Sequence, residues 1–378
     1  MHDSHALPRR RRWPVVLPLA IVIALALAWS AVWFFAARSA EAEIAAWRER
    51  EAAAGRIYRC GSESVGGYPF RIEVRCADAG AELTGVATPL SFRLADILVA
   101  AQVYDPSLLI GEFQGPLTVA EPGRPPTVIA SWKLAQASVR GTPAAPQRLS
   151  VVLEAPRFDR IVGATQQTFL AAARTELHGR LAGGTAEANP VVDIAVKLTD
   201  ALAPALHPLT AQTFNLDGAV TLRGMKDFAP KPWPERLREL QANGGRLDIT
   251  SLRAAQGDML AAGAGTLSLT ATGGLEGELQ LTVAGIDQLL AALQIEKAIQ
   301  EPGGRLGAAL GMLDRVSPGL ANFARQNAGT AISAGVRMLG QPTKLDGRDA
   351  VALPLRFSDG AVFLGPLAVG RVPPLFQP

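Results

Sequence analysis

Cys60 and Cys76 are the only thiols in this 378-residue chain, and their spacing says what they can do. They stand far apart compared with the Cys-x-x-Cys pattern of a redox couple, so thiol exchange is a poor fit. In an oxidising compartment an isolated pair this close reads as a structural disulfide. Closing a loop of that size stabilises a fold by about 3 kcal/mol in the chain-entropy view. Between them Gly66, Gly67 and Pro69 predict a turn. Phe70, Ile72 and Val74 then alternate with Arg71, Glu73 and Arg75, the period of a strand with one buried face. The cysteines are symmetric about Tyr68, so a hairpin folded there is expected to bring them opposite each other.

A second constellation, Arg174, Glu176, His178 and Arg180, falls on one face of a strand predicted over 169–181. As chemistry it would be an acid/base cluster. The plainer reading is a solvated strand face of alternating charge, and this reading is preferred. Asp193, Asp217 and Asp248 also sit on polar strand faces, but a glycosidase pair is defined by a spatial separation that a sequence does not show. Of four histidines, His2 and His5 precede a membrane segment, leaving His178 and His207. The chain has no His-Glu-x-x-His, no Gly-x-Ser-x-Gly elbow and no phosphate-binding loop. The expectation is a non-enzymatic protein without metal or cofactor.

The elements that position these residues begin with an anchor. Arg9 to Arg12 are followed by an uncharged run, Trp13 through Ala37, long enough to cross a hydrocarbon core of roughly 30 Å. The run exceeds the apolar region of a signal peptide, although Ala40-Glu41-Ala42 resembles a cleavage site. An uncleaved single-pass anchor is the preferred reading. Trp13 opens the run, and Trp29 and Trp33 lie near its far end, where indoles favour headgroups; these three are the expected anchor residues. The arginine block sets residues 1–12 as a cytoplasmic tail of an inner-membrane protein, with the bulk of the chain periplasmic. Residues 13–37 are then the span, 38–55 a helical stalk and 56–378 a periplasmic β-rich region. The formal charge is +3, and the four arginines and one aspartate of residues 1–12 account for all of it. The exported part is therefore near neutral, with no basic patch for nucleic acid.

Beyond the stalk, short alternating runs recur. They include 149–153, 192–196, 214–222 and 247–249, and a hairpin of 265–272 with 277–283 around Gly273-Gly274. Val351–Phe357 and Ala361–Val369 flank Asp359-Gly360, a strong hairpin signal. Helices are expected at Pro234–Gln241, after Asp287, and over Arg305–Asn327; Phe92, Leu94, Ile97 and Leu98 suggest a short helix after Pro89. Proline-rich 78–148 is open between strands and loops. The fold class is β-dominated α+β: a long curved antiparallel sheet with a few short helices, preceded by one transmembrane helix, one sheet face buried and the other wet.

The Cys60, Gly66-Gly67-Tyr68-Pro69-Phe70-Arg71, Cys76 arrangement after a single anchor helix resembles the Domain of Unknown Function 2125 family. So does the terminal run from Asp359-Gly360 to Gly365-Pro366, with Pro373-Pro374-Leu375 beyond it. The resemblance implies an alphaproteobacterial envelope protein and carries no activity, ligand or catalytic residue. A looser likeness, of Gly265–Leu293 to AsmA-type envelope proteins, implies lipid handling. Two functions follow as expectations. One is binding of lipid or another amphiphile on an apolar sheet face for envelope maintenance. The other is a structural or assembly factor that recruits envelope proteins through sheet edges.

Overall fold

The computed structural model describes residues 13–86, 88–142, 145–206, 208–286, 288, 340–364 and 367–376. The helices expected after Asp287 and over Arg305–Asn327 lie outside them, as do His2, His5 and His207. The first described element is α1 (Trp13–Ala53), one continuous helix across the expected span and stalk. At 1.5 Å per residue it is about 60 Å long. Val16 to Leu27 expose most of their apolar side chains, so this stretch has no protein core to enter.

Strands follow in pairs: β1 (Arg56–Arg59), β2 (Ser62–Gly66), β3 (Arg71–Leu83), β4 (Leu90–Gln102), β5 (Asp105–Gln114), β6 (Leu117–Ala120), β7 (Val128–Ser131) and β8 (Leu134–Thr142). Next come β9 (Ala145–Glu154), β10 (Arg157–Val162), β11 (Thr165–Ala171), β12 (Arg174–Thr185), β13 (Ala188–Ala201) and β14 (Phe214–Arg223). Helix α2 (Trp233–Ala242) interrupts them before β15 (Arg246–Gln256), β16 (Met259–Leu269) and β17 (Leu275–Ala284). The described chain ends with β18 (Gln341–Leu345), β19 (Arg348–Ser358), β20 (Ala361–Leu364) and β21 (Leu367–Arg371). All pairings are antiparallel. The main ladder runs β3-β4-β5-β8-β9-β12-β13-β14-β15-β16-β17-β19-β20-β21. At about 4.8 Å per step it is roughly 60 Å long. A side branch, β6-β7-β10-β11, leaves it at β4.

Three expectations need correction. Phe92, Leu94, Ile97 and Leu98 lie in β4 and form no helix: the thirteen-residue strand pairs with β3 along its whole length, and that ladder overrides a short helical spacing. The run 169–181 is two strands, β11 and β12, with Ala171 bridged to Leu202 at the break. The cysteines are disulfide-bonded with Cα atoms 5.3 Å apart, yet they are not ladder partners. Cys76 faces Glu63, and Cys60 reaches it from the gap between β1 and β2, because the turn is centred beyond Tyr68.

The Asp-Gly turn behaves as its sequence dictates. Asp359 and Gly360 both take positive φ, 46° and 79°, as a tight hairpin requires. Asp346-Gly347 does the same between β18 and β19, a hairpin not among the sequence expectations although the same signal marks it. Helix α2 has Pro234 in its first turn and Gly244 at φ 62° just past its end, so its limits match the predicted asymmetry.

Candidate functional site

Alternation along each strand, carried across an in-register ladder, builds one continuous apolar face. From α1 outward its rows include Ile72, Ala101, Leu109, Val139, Leu149, Gly179, Ile194 and Val220, each paired with the next across neighbouring strands. Beyond Val220 the face continues through Ile249, Gly265, Leu279, Leu355 and Leu364. Because the side-chain period is two, one consistent register puts all these groups on the same side.

That face is unevenly covered. At its near end α1 packs on it, burying Trp33 and Ala37 against Ile72. At its far end Val283, Ile286, Val351, Leu353 and Leu364 form a closed cluster. Leu237 and Leu240 of α2 meet Phe376 over Leu222, Met225 and Leu269. Between these covers the face is open: Leu149 and Leu177 remain 39% and 38% exposed. The expected division into one buried and one wet face therefore fails in the middle of the sheet.

The opening is a cavity of about 650 Å³. Leu109, Val139, Leu149, Leu177, Leu181, Val192 and Ile194 form its floor, and Met225, Phe228 and Arg236 its roof; Arg148 and Arg180 also line it, but alternation turns their side chains to the opposite face of the sheet. The roof is held by ions. Arg236, 7% exposed, donates to the Asp227 carbonyl at 2.9 Å, to Glu239 Oε1 at 2.7 Å and to the Ala229 carbonyl. Lys231 Nζ donates to Asp227 at 3.2 Å and also reaches Glu239. Burial pushes the Glu239 carboxyl up, but the Lys226 amide, Lys231 and Arg236 outweigh it and hold its pKa at about 2.

On the face behind the cavity, register produces a like-charge row. Arg140, Arg148 and Arg180 are direct cross-strand neighbours on β8, β9 and β12. Arg140 pairs with Asp105 at 3.5 Å and Arg180 with Asp193 at 2.8 Å. Arg148 has no ion pair among the described residues and separates two other cations. Like charges directly opposite destabilise a sheet, so this row is a local conflict of the kind found where a surface serves a ligand.

The other candidates are plainly placed. Arg174 donates to Glu176 at 2.6 Å and to Glu154 at 3.1 Å, and His178 Nε2 lies 3.2 Å from Glu176. Arg174, then His178, holds the Glu176 carboxyl below its ordinary range, the reverse of what a general acid needs. Asp193 accepts from Thr221 at 2.7 Å, and Asp248 from Arg223 at 2.9 Å. No three His, Cys, Asp or Glu residues gather to hold a metal among the described residues. Trp13 begins α1. Trp29 and Trp33, expected as anchor residues, face protein: their indole N–H groups donate to the Pro69 and Arg71 carbonyls at 2.9 and 2.7 Å. Single-strand patterning could not show the arginine row or the roof, because both depend on which strands become neighbours.

A family model described as an uncharacterized protein conserved in bacteria (DUF2125) matches residues 33–373, nearly all of the chain beyond the apolar run. That match lends no support to the AsmA-type likeness. Among curated proteins, none matches the chain.

Proposed function

We propose that this chain, which belongs to the DUF2125 family of uncharacterised bacterial proteins, is an inner-membrane-anchored periplasmic protein that binds lipid or another amphiphile. The acyl part lies on the open apolar face. The N-terminus is cytoplasmic and the role is envelope maintenance. One observation carries the reading: an apolar sheet face that starts against the membrane-length helix and opens, some strands later, into a cavity walled by aliphatic side chains. Aliphatic walls with few polar groups suit acyl chains.

The test uses the full chain in vesicles of phosphatidylglycerol and phosphatidylethanolamine, with a photoreactive phenylalanine analogue at Leu177 or Ile194. Phospholipid adducts at both positions support the reading. Gly179 lies on the floor between Leu149 and Ile194, and a Cβ there would meet nothing within 4 Å. Gly179→Phe is thus expected to fold normally and to cut the adducts at least tenfold. Absence of lipid adducts in the unplugged protein would overturn it. The scaffold alternative has one specific support, the outer edge of β21, which is unpaired among the described residues and open to strand addition. Protein adducts at β21, with none from lipid in the cavity, would favour that alternative.

A further inference from the structure

The hairpin around the disulfide is clamped to α1 at a height that has a consequence for the membrane. Trp29 and Trp33 donate to Pro69 and Arg71, and Ser30 Oγ lies 2.8 Å from the Tyr68 hydroxyl. Higher up, Trp47 stacks on Tyr58 at 4.7 Å, and Arg48 pairs with Glu63. These contacts run in matching order along helix and strands, so β1–β3 lie along α1 and the turn 67–70 points back toward the membrane. The neighbouring turn between β4 and β5 points the same way, since the Val103 amide donates to the Phe70 carbonyl at 3.0 Å.

Both turn tips are aromatic and bare: Tyr68 is 55%, Phe70 61% and Tyr104 68% exposed. From Trp13 an α-helix rises about 30 Å by Trp33, the thickness of a hydrocarbon core. Trp33 is bonded to Arg71, and the tips lie on the membrane side of that bond. They therefore sit at the acyl–headgroup boundary, where aromatic rings are favoured.

We infer that the paired turns 67–70 and 102–105 are a second membrane contact, seated in the leaflet that α1 exits. The bilayer is the occupant because the tips are continuous with the exposed apolar surface of α1, Phe34 and Phe35 included. The contact fixes the sheet against the bilayer and leaves the near end of the apolar face, Ile72, Ala101 and Leu109, just outside the leaflet. This inference rests on α1 crossing a membrane and not on the cavity holding a ligand.

The test places an environment-sensitive fluorescent amino acid at Phe70, at Tyr104 or, as control, at Val86 in the opposite turn, in the full chain in phosphatidylglycerol–phosphatidylethanolamine vesicles. Doxyl-labelled lipid is the quencher. Quenching at 70 and 104 is expected to exceed that at 86 by at least threefold, in the Gly179→Phe protein as well. Equal quenching at all three positions would overturn the inference, and would point to a protein partner for the tips. Absence of lipid adducts in the unplugged cavity with quenching intact would sink the proposed function alone.

Discussion

At the residue scale, Arg148 and Glu239 carry opposite electrostatic signs. Arg148 sits between Arg140 and Arg180 with no carboxylate of its own, so Arg148→Ser is expected to stabilise the fold by about 0.5 kcal/mol. A denaturant midpoint that rises with unchanged slope checks this. Glu239 has a folded pKa near 2, below the ordinary carboxyl value. Its contribution is therefore fully present above about pH 4.5 and is lost as pH falls toward 2, on the order of 2 kcal/mol. Comparing the chain with Glu239→Gln should show a stability gap at pH 6 that closes by pH 2; a gap independent of pH would contradict the ion-held roof.

At the element scale, the decisive units are α1 with its hairpin and α2 with its roof segment. Trp33→Phe keeps most of the packing on Ile72 but removes the bond to the Arg71 carbonyl. A loss of about 1 kcal/mol is expected. The effect should appear as faster amide exchange in 67–74, with α2 unchanged. The disulfide could not hold this hairpin to the helix by itself, since it joins two parts of the β segment. Just past α2, a Cβ on Gly245 would lie 2.6 Å from the Leu240 carbonyl oxygen, so the close return from helix to β15 depends on glycine. Hairpin turns and α2 were legible locally, because Asp-Gly, Gly-Gly and a Pro–Gly bracket act over a few residues. Strand β4 was not, because its conformation comes from thirteen residues of pairing with β3.

At the scale of the whole molecule, the apolar face is a core at its ends and a surface in its middle. Leucine truncation reads this difference directly. Leu353, 5% exposed in the far cluster, should lose about 2–4 kcal/mol on change to Ala. Leu177, 38% exposed on the cavity floor, should lose only about 1 kcal/mol. Equal losses in thermal or denaturant unfolding would mean that the middle of the face is as closed as its end.

The sequence by itself determined the membrane-length helix, the β-dominated class, several hairpins and the pairing partner of each cysteine. It did so because length, alternation and turn chemistry are local, and two thiols leave one intramolecular choice. It also determined that Arg174, Glu176, His178 and Arg180 share a strand face. Tertiary structure alone decided what lies next to that face and the one behind it. Cross-strand register aligned three arginines from β8, β9 and β12, and strand order left the floor from Leu109 to Ile194 open between α1 and α2. Register and order are set by the summed energy of many distant pairings, which no single segment encodes.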